Sequence, residues 1–171
     1  VGEKGEYLDQ IKKGLPKNVS LKFIQKKKSP TILKRRFLDH VSNNKVLGVY
    51  KINDDALNKK QDELVGINLK KILPKYDLVI VSDYGHGFIS NKNAKIICRY
   101  SKYLALNAQI NAANVGYHSM RNYKNIDCVI INNREIHHEM RDRSTETELL
   151  MKNLSHQRNI KNLIVTKGNK G

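Results

Sequence analysis

The chain has 171 residues, 39% of them hydrophobic, enough for one core and one domain. No apolar run reaches the length of a membrane span, no secretory signal opens the chain, and two cysteines, Cys98 and Cys128, offer neither a disulfide framework nor metal spacing. The net charge of +16 would suit a polyanionic partner, but there is no zinc-finger spacing, aromatic RNA-binding signature or basic region joined to heptads. The expected location is therefore a reducing cytoplasm, with no membrane and no specific nucleic-acid partner.

Taken in order, Tyr7, Leu8, Ile11 and Leu15 share a helical face, so Gly5 to about Leu15 reads as a short amphipathic helix closed by Gly14 and Pro16. Val19 to Gln25 alternates as a strand. Lys26 to Pro30 is a basic turn. Ile32 to Leu38 is a second strand, with Lys34 and Arg36 on one face. Val46 to Ile52 is a third. Three strands joined by short turns predict an antiparallel meander. From Asp55 the pattern changes to alternating helix and strand. Leu57, Val65, Leu69, Ile72 and Leu73 form one helical face, stopped by Pro74. Leu78 to Val81 is a continuous apolar run, the mark of a strand buried on both faces. Asp83, Tyr84, Gly85 and Gly87 follow, then a helix from Asn91. Further strands are expected at about Tyr103 to Ala108, Cys128 to Ile131 and Leu163 to Thr166. Helices are expected from about Arg134 to Met140 and from Thr145 to His156, with one helical turn at Ser119 to Tyr123. The polar stretch Gln109 to Tyr117 fits neither period and reads as a binding loop.

Strand, turn and helix in alternation predict a parallel sheet, and ligands in such sheets bind at the carboxyl ends of the strands. Four successive strand ends carry polar groups: Asp83-Tyr84; Asn107 with Gln109; Asn132 with Glu135; Thr166 with Gly168 and Gly171. Asn and Asp side chains suit sugar hydroxyls. A glycine-rich turn lets backbone N–H groups approach phosphate. Each position has a plainer reading: Asp83 as a turn or helix cap, Asn132-x-x-Glu135 as a helix N-cap with an acidic first turn, Lys34 and Arg36 as a solvated strand face. The histidines are expected in surface or core roles; His137 and His138, adjacent on a helix, diverge by about 100°.

The segments VGEKGEYLDQIKKGL, SPTILKRRFLD, DLVIVSDYGHG, CVIINNREI and NLIVTKGNKG resemble, in order, the ribokinase (PfkB) carbohydrate-kinase family, and within it the heptose-7-phosphate kinase branch. The resemblance implies an α/β fold, a ribokinase-like Rossmann-type sheet flanked by helices with a small antiparallel β lid. It implies one partial kinase domain over 1–171, with lid strands at about 19–52 and an α/β core at 1–18 and 53–171. It implies ATP and Mg²⁺ as cofactors, a sugar or sugar phosphate of heptose type as acceptor, and a homodimer through the lid sheet. The lid strand with Thr31, Lys34 and Arg36 would close over the sugar, its cations near the phosphate. Asp83, Tyr84 and Asn107 would border the sugar. Asn132 and Glu135 match the Asn-x-x-Glu motif that helps hold Mg²⁺ and ATP phosphates, Glu135 through water. Thr166, Gly168 and Gly171 match the strand and turn that meet ATP.

The sequence departs from the family pattern at His86, where a Lys is usual. It departs again at Asn107-Ala108-Gln109-Ile110, where Asp-Pro-Lys-Gly is usual. The Gly-Ala-Gly-Asp motif that supplies the catalytic base is expected beyond Gly171, and the N-terminal glycine motif before Val1. The chain therefore reads as a central fragment that contains no catalytic base of its own. The expected activity is phosphoryl transfer from ATP to a sugar hydroxyl. The rival readings are a catalytically inactive sugar- or nucleotide-binding relative and a basic nucleic-acid-binding protein.

Overall fold

The computed structural model describes residues 1–109 and 119–170, which fall into two units, Val1–Leu57 and Asn58–Gly171.

In the first unit, α1 (Leu8–Lys13) is followed by β1 (Leu33–Leu38) and β2 (Lys45–Lys51), paired antiparallel from Leu33↔Lys51 to Leu38↔Lys45. The register puts Lys34 across from Tyr50 and Arg36 across from Gly48. The N-terminal residues bind to the segment ahead of β1. Gly2 bridges Lys26, and its N–H donates to Thr31 Oγ1 at 3.0 Å. A Cβ on Gly2 would lie 2.2 Å from Pro30 C and Thr31 N, so only glycine permits this approach.

The expected meander is thus a two-stranded sheet. Residues 19–25 form no strand, although their side chains alternate. Val19 and Leu21 stay exposed. Alternation makes a strand only where a neighbouring edge accepts its ladder, and here β1 pairs with β2 instead.

The second unit runs α2 (Lys59–Ile72), β3 (Val79–Asp83), α3 (Asn91–Tyr100), β4 (Leu104–Ala108), β5 (Cys128–Asn132), α4 (Asn133–Met140), α5 (Thr147–Arg158) and β6 (Asn162–Thr166). Short 3₁₀ turns lie at Leu73–Lys75, Ser119–Asn122 and Gly168–Lys170. Asn58 and Ser90 cap α2 and α3 through their side-chain oxygens. The four strands are parallel in the order β3-β4-β5-β6. Crossovers of one hand with no reversal of order place the connecting helices on one face. The core lies there: Val81, Leu104, Leu106, Val129 and Ile131 of the strands pack with Ala94, Ile97, Ile136, Leu150 and Leu154 of the helices.

The opposite face carries Ile80, 70% exposed, with Ile130 and Ile164 also exposed. The expectation of a β3 strand buried on both faces is therefore corrected. Its burial alternates, with Val81 and Asp83 inside and Ile80 and Ser82 outside. Among the described residues no helix is long and apolar enough to cross a membrane.

Candidate functional site

The carboxyl ends of β3 to β6 lie along one edge of the sheet, and the ladder is uneven there. β3 and β4 remain paired to Asp83↔Ala108, and Gln109 N–H donates to Asp83 O at 3.1 Å. β5 and β6 remain paired to Asn132↔Thr166. Between β4 and β5, pairing covers only Ala105↔Cys128 and Leu106↔Val129. Beyond that point the Asn107 side-chain amide donates to Ile130 O at 2.9 Å, replacing a ladder bond. The polar strand ends therefore fall into two groups: Asp83, Tyr84, Asn107 and Gln109 follow the β3–β4 pair, and Asn132, Glu135, Thr166 and Gly168 follow the β5–β6 pair.

Side-chain direction divides these residues. Asn107 stands on the uncovered face, in register with Ser82. Asn132 and Thr166, register partners and both exposed, stand on the same face. Asp83 points the other way. It is 7% exposed. Its Oδ1 accepts from Gly85 N–H at 2.9 Å, and its Oδ2 accepts from the Tyr123 hydroxyl at 2.9 Å. That pattern is a side-chain turn cap, anchored to the helical layer. Gly85 and Gly87 take φ of 68° and 71°, a left-handed path that glycine follows without strain. Burial, reinforced by the Asp83 charge and hydrogen bond, pushes the Tyr123 phenol far above its ordinary range, so it stays a donor to Asp83. Tyr84 is partly exposed and stacks on buried His86, ring centroids 6.4 Å apart and planes 8° apart.

Asn132 and Glu135 form a reciprocal capping box at the start of α4. Asn132 Oδ1 accepts from Glu135 N–H at 3.0 Å, and Glu135 Oε2 accepts from Asn132 N–H at 2.7 Å. Glu135 is 5% exposed. Among the described residues no three His, Cys, Asp or Glu side chains gather as a metal set. Gly168 has φ +64°, which the backbone there requires of glycine, and among the described residues a Cβ there would meet nothing within 4 Å. Gly171 and residues 110–117 of the expected loop lie outside the described residues.

Lys34 and Arg36 belong to the first unit and share a face of β1. Lys45 Nζ donates to Tyr50 Oη at 3.1 Å, and this bond, with the charges of Lys45 and Arg36, draws the Tyr50 phenol down. The face is thus cationic along both strands. The opposite face exposes Phe37, Leu47 and Val49.

Sequence reading missed Tyr123 and the Tyr84–His86 stack. Tyr123 lies 40 residues from Asp83, and no periodicity connects positions so far apart. The capping box was legible because its spacing of three residues is local.

No protein-family profile and no curated protein matches the chain. Among solved structures, the chain is similar to a point mutant of phosphofructokinase-2 from Escherichia coli. The TM-score is 0.67 and the identity 14%, over 100% of this chain and 55% of that one. The chain thus spans about half the length of that neighbour. This chain has a parallel four-stranded sheet flanked by helices and a small antiparallel two-stranded sheet, and its fold is ribokinase-like.

Proposed function

We propose that the chain forms the ligand-bearing core of an ATP-dependent carbohydrate kinase acting on a sugar or sugar phosphate of heptose type. The observation that carries the reading is the early end of the β4–β5 ladder, which divides the polar strand ends into two groups. In this reading the acceptor lies by Tyr84 and Asn107. The nucleotide lies by Asn132, Thr166 and the Gly168 turn, whose open space admits a phosphate close to the backbone.

Asp83 supports the acceptor side from beneath: it fixes the Tyr84–Gly85 turn through Gly85 N–H and is itself held by Tyr123. A homodimer through the small sheet would bury Phe37, Leu47 and Val49.

ATP·Mg²⁺ would supply the transferable phosphoryl group. With no cluster of carboxylates and histidines among the described residues, Mg²⁺ would rest on phosphate oxygens and water. Glu135, one oxygen of which closes the capping box, fits an outer role through water. The residues present bind and orient; none of them is assigned as the base.

A second reading, a catalytically inactive binding relative, is favoured by Asn107-Ala108-Gln109-Ile110 and by buried His86. The test is ATP consumption by the complete reading frame containing this chain, against a panel of sugars and sugar phosphates that includes heptose 7-phosphate. The proposal expects phosphorylation of a heptose phosphate. Nucleotide and sugar binding without turnover would establish the second reading, and neither binding nor turnover would overturn both.

A further inference from the structure

A cavity of about 590 Å³ runs along α4, lined by Asn133, Arg134, His137, His138, Arg141 and Arg143. Positions 134, 137, 138 and 141 recur at the spacing of one helical face, while Glu135, Ile136 and Glu139 of the other face are buried. Arg134 and Arg141 are separated by about 10 Å of helix. Arg141 caps the helix in the left-handed conformation, φ 53°, and the following turn brings Arg143 to the same wall.

Among the described residues no carboxylate lines this cavity. Asp142, between two of its arginines, is committed to its own turn. It accepts from Ser144 N–H and Thr145 N–H at 2.9 Å and from Thr145 Oγ1 at 2.7 Å. Among the described residues Arg134, Arg141 and Arg143 form no ion pair, although Arg158 of the adjacent helix pairs with Glu139 at 3.0 Å. Asn133 Oδ1 accepts from Thr147 Oγ1 at 2.7 Å, which leaves its amide N–H₂ as a donor. His137 Nδ1 is held by Asp142 O at 2.8 Å, fixing the ring as part of the wall.

One or two cations near the C-terminus of α4 would complement its dipole. Three guanidiniums without an ion pair among the described residues, placed from the first turn of α4 to the turn after it, exceed that need. Their forked donors match phosphate oxygens in pairs. The volume is that of a small-molecule site, not of a macromolecular groove.

We propose that this cavity binds a small molecule carrying two or more phosphate groups, at a site separate from the strand-end crevice. The probe is inorganic tripolyphosphate, titrated calorimetrically into the 171-residue chain at fixed salt, with orthophosphate as the comparison. The combined variant Arg134→Gln, Arg141→Gln, Arg143→Gln should weaken tripolyphosphate at least ~100-fold, on the basis of roughly tenfold per charge-assisted contact. The three Arg→Lys changes should weaken it less. A variant that removes three charges elsewhere, Lys12→Gln, Lys13→Gln and Lys59→Gln, should leave it unchanged, as should Thr166→Val in the crevice. Four results would overturn the proposal: equal loss in the distant lysine variant, which would mean diffuse attraction to a basic chain; loss on Thr166→Val alone, which would place the anion at the strand ends; orthophosphate binding as tightly as tripolyphosphate; or no loss in the arginine variant. The arginine variant can fail while the kinase reading stands, because no crevice residue is altered in it.

Discussion

Asp83 and Glu135 are both structural caps, and both are assigned to the proposed site as well. The Asp83 carboxylate is buried and accepts two hydrogen bonds, one from the Tyr123 hydroxyl. Tyr123→Phe removes that donor and leaves a buried carboxylate oxygen short of a partner. The expected loss is about 1–3 kcal/mol, seen as a lower urea midpoint with unchanged slope. At the α4 N-terminus the capping role and the proposed ligand-binding role separate by substitution. Asn132→Ala abolishes the cap and should cost about 1 kcal/mol. Glu135→Gln keeps a capping side chain but removes the charge, so stability should hardly change while MgADP affinity falls. An equal fall in stability for both variants would leave Glu135 a purely structural residue. Asp142 gives a pH test. Hydrogen bonds from Thr145, then Ser144, lower its carboxyl from 3.8 to about 2. A depressed folded-state value stabilises the protein above the unfolded value, and that stabilisation is lost as pH falls through the folded one. Denaturant unfolding between pH about 4 and 2 should therefore show a steeper loss in the native chain than in Asp142→Asn.

At the level of elements, the helix and strand positions of the second unit were legible, because apolar period and capping residues are local signals. Asn132 caps the helix that its sequence position announced, whereas Asn58 and Ser90 were not read as caps and Leu57, expected on the α2 face, precedes the helix. The side from which a strand is covered was not legible. Leu78 to Val81 reads as a doubly buried run, yet Ile80 is 70% exposed, because burial depends on strand order and crossover hand rather than on composition. The strand expected over residues 19–25 failed for a related reason: its partner edge lies elsewhere in the chain. Substitution separates the two faces of the sheet. Leu106, 1% exposed on the helical side, should cost about 2–5 kcal/mol on change to Ala. Ile164, 51% exposed, should cost under about 1 kcal/mol. Similar losses at both would mean that the second face is covered.

For the whole molecule, strand order matters more to function than any one motif. Four parallel strands in sequential order bring Asn107, Asn132 and Thr166 to one edge and one face, and the β4–β5 ladder ends early between them. The polar strand ends could be read from the sequence as a row. Their division into two groups could not, since it arises from pairing between segments more than 20 residues apart, and Asp83 turns beneath the row instead of joining it. The most direct test is amide NMR of the 171-residue chain during titration with MgADP and, separately, with heptose 7-phosphate. MgADP should shift Asn132, Glu135, Thr166 and Gly168 most, and the sugar phosphate should shift Tyr84, Gly85 and Asn107. Shifts from both ligands confined to one side of the opening, or absent from these strand ends altogether, would contradict the division of the crevice into nucleotide and acceptor sides.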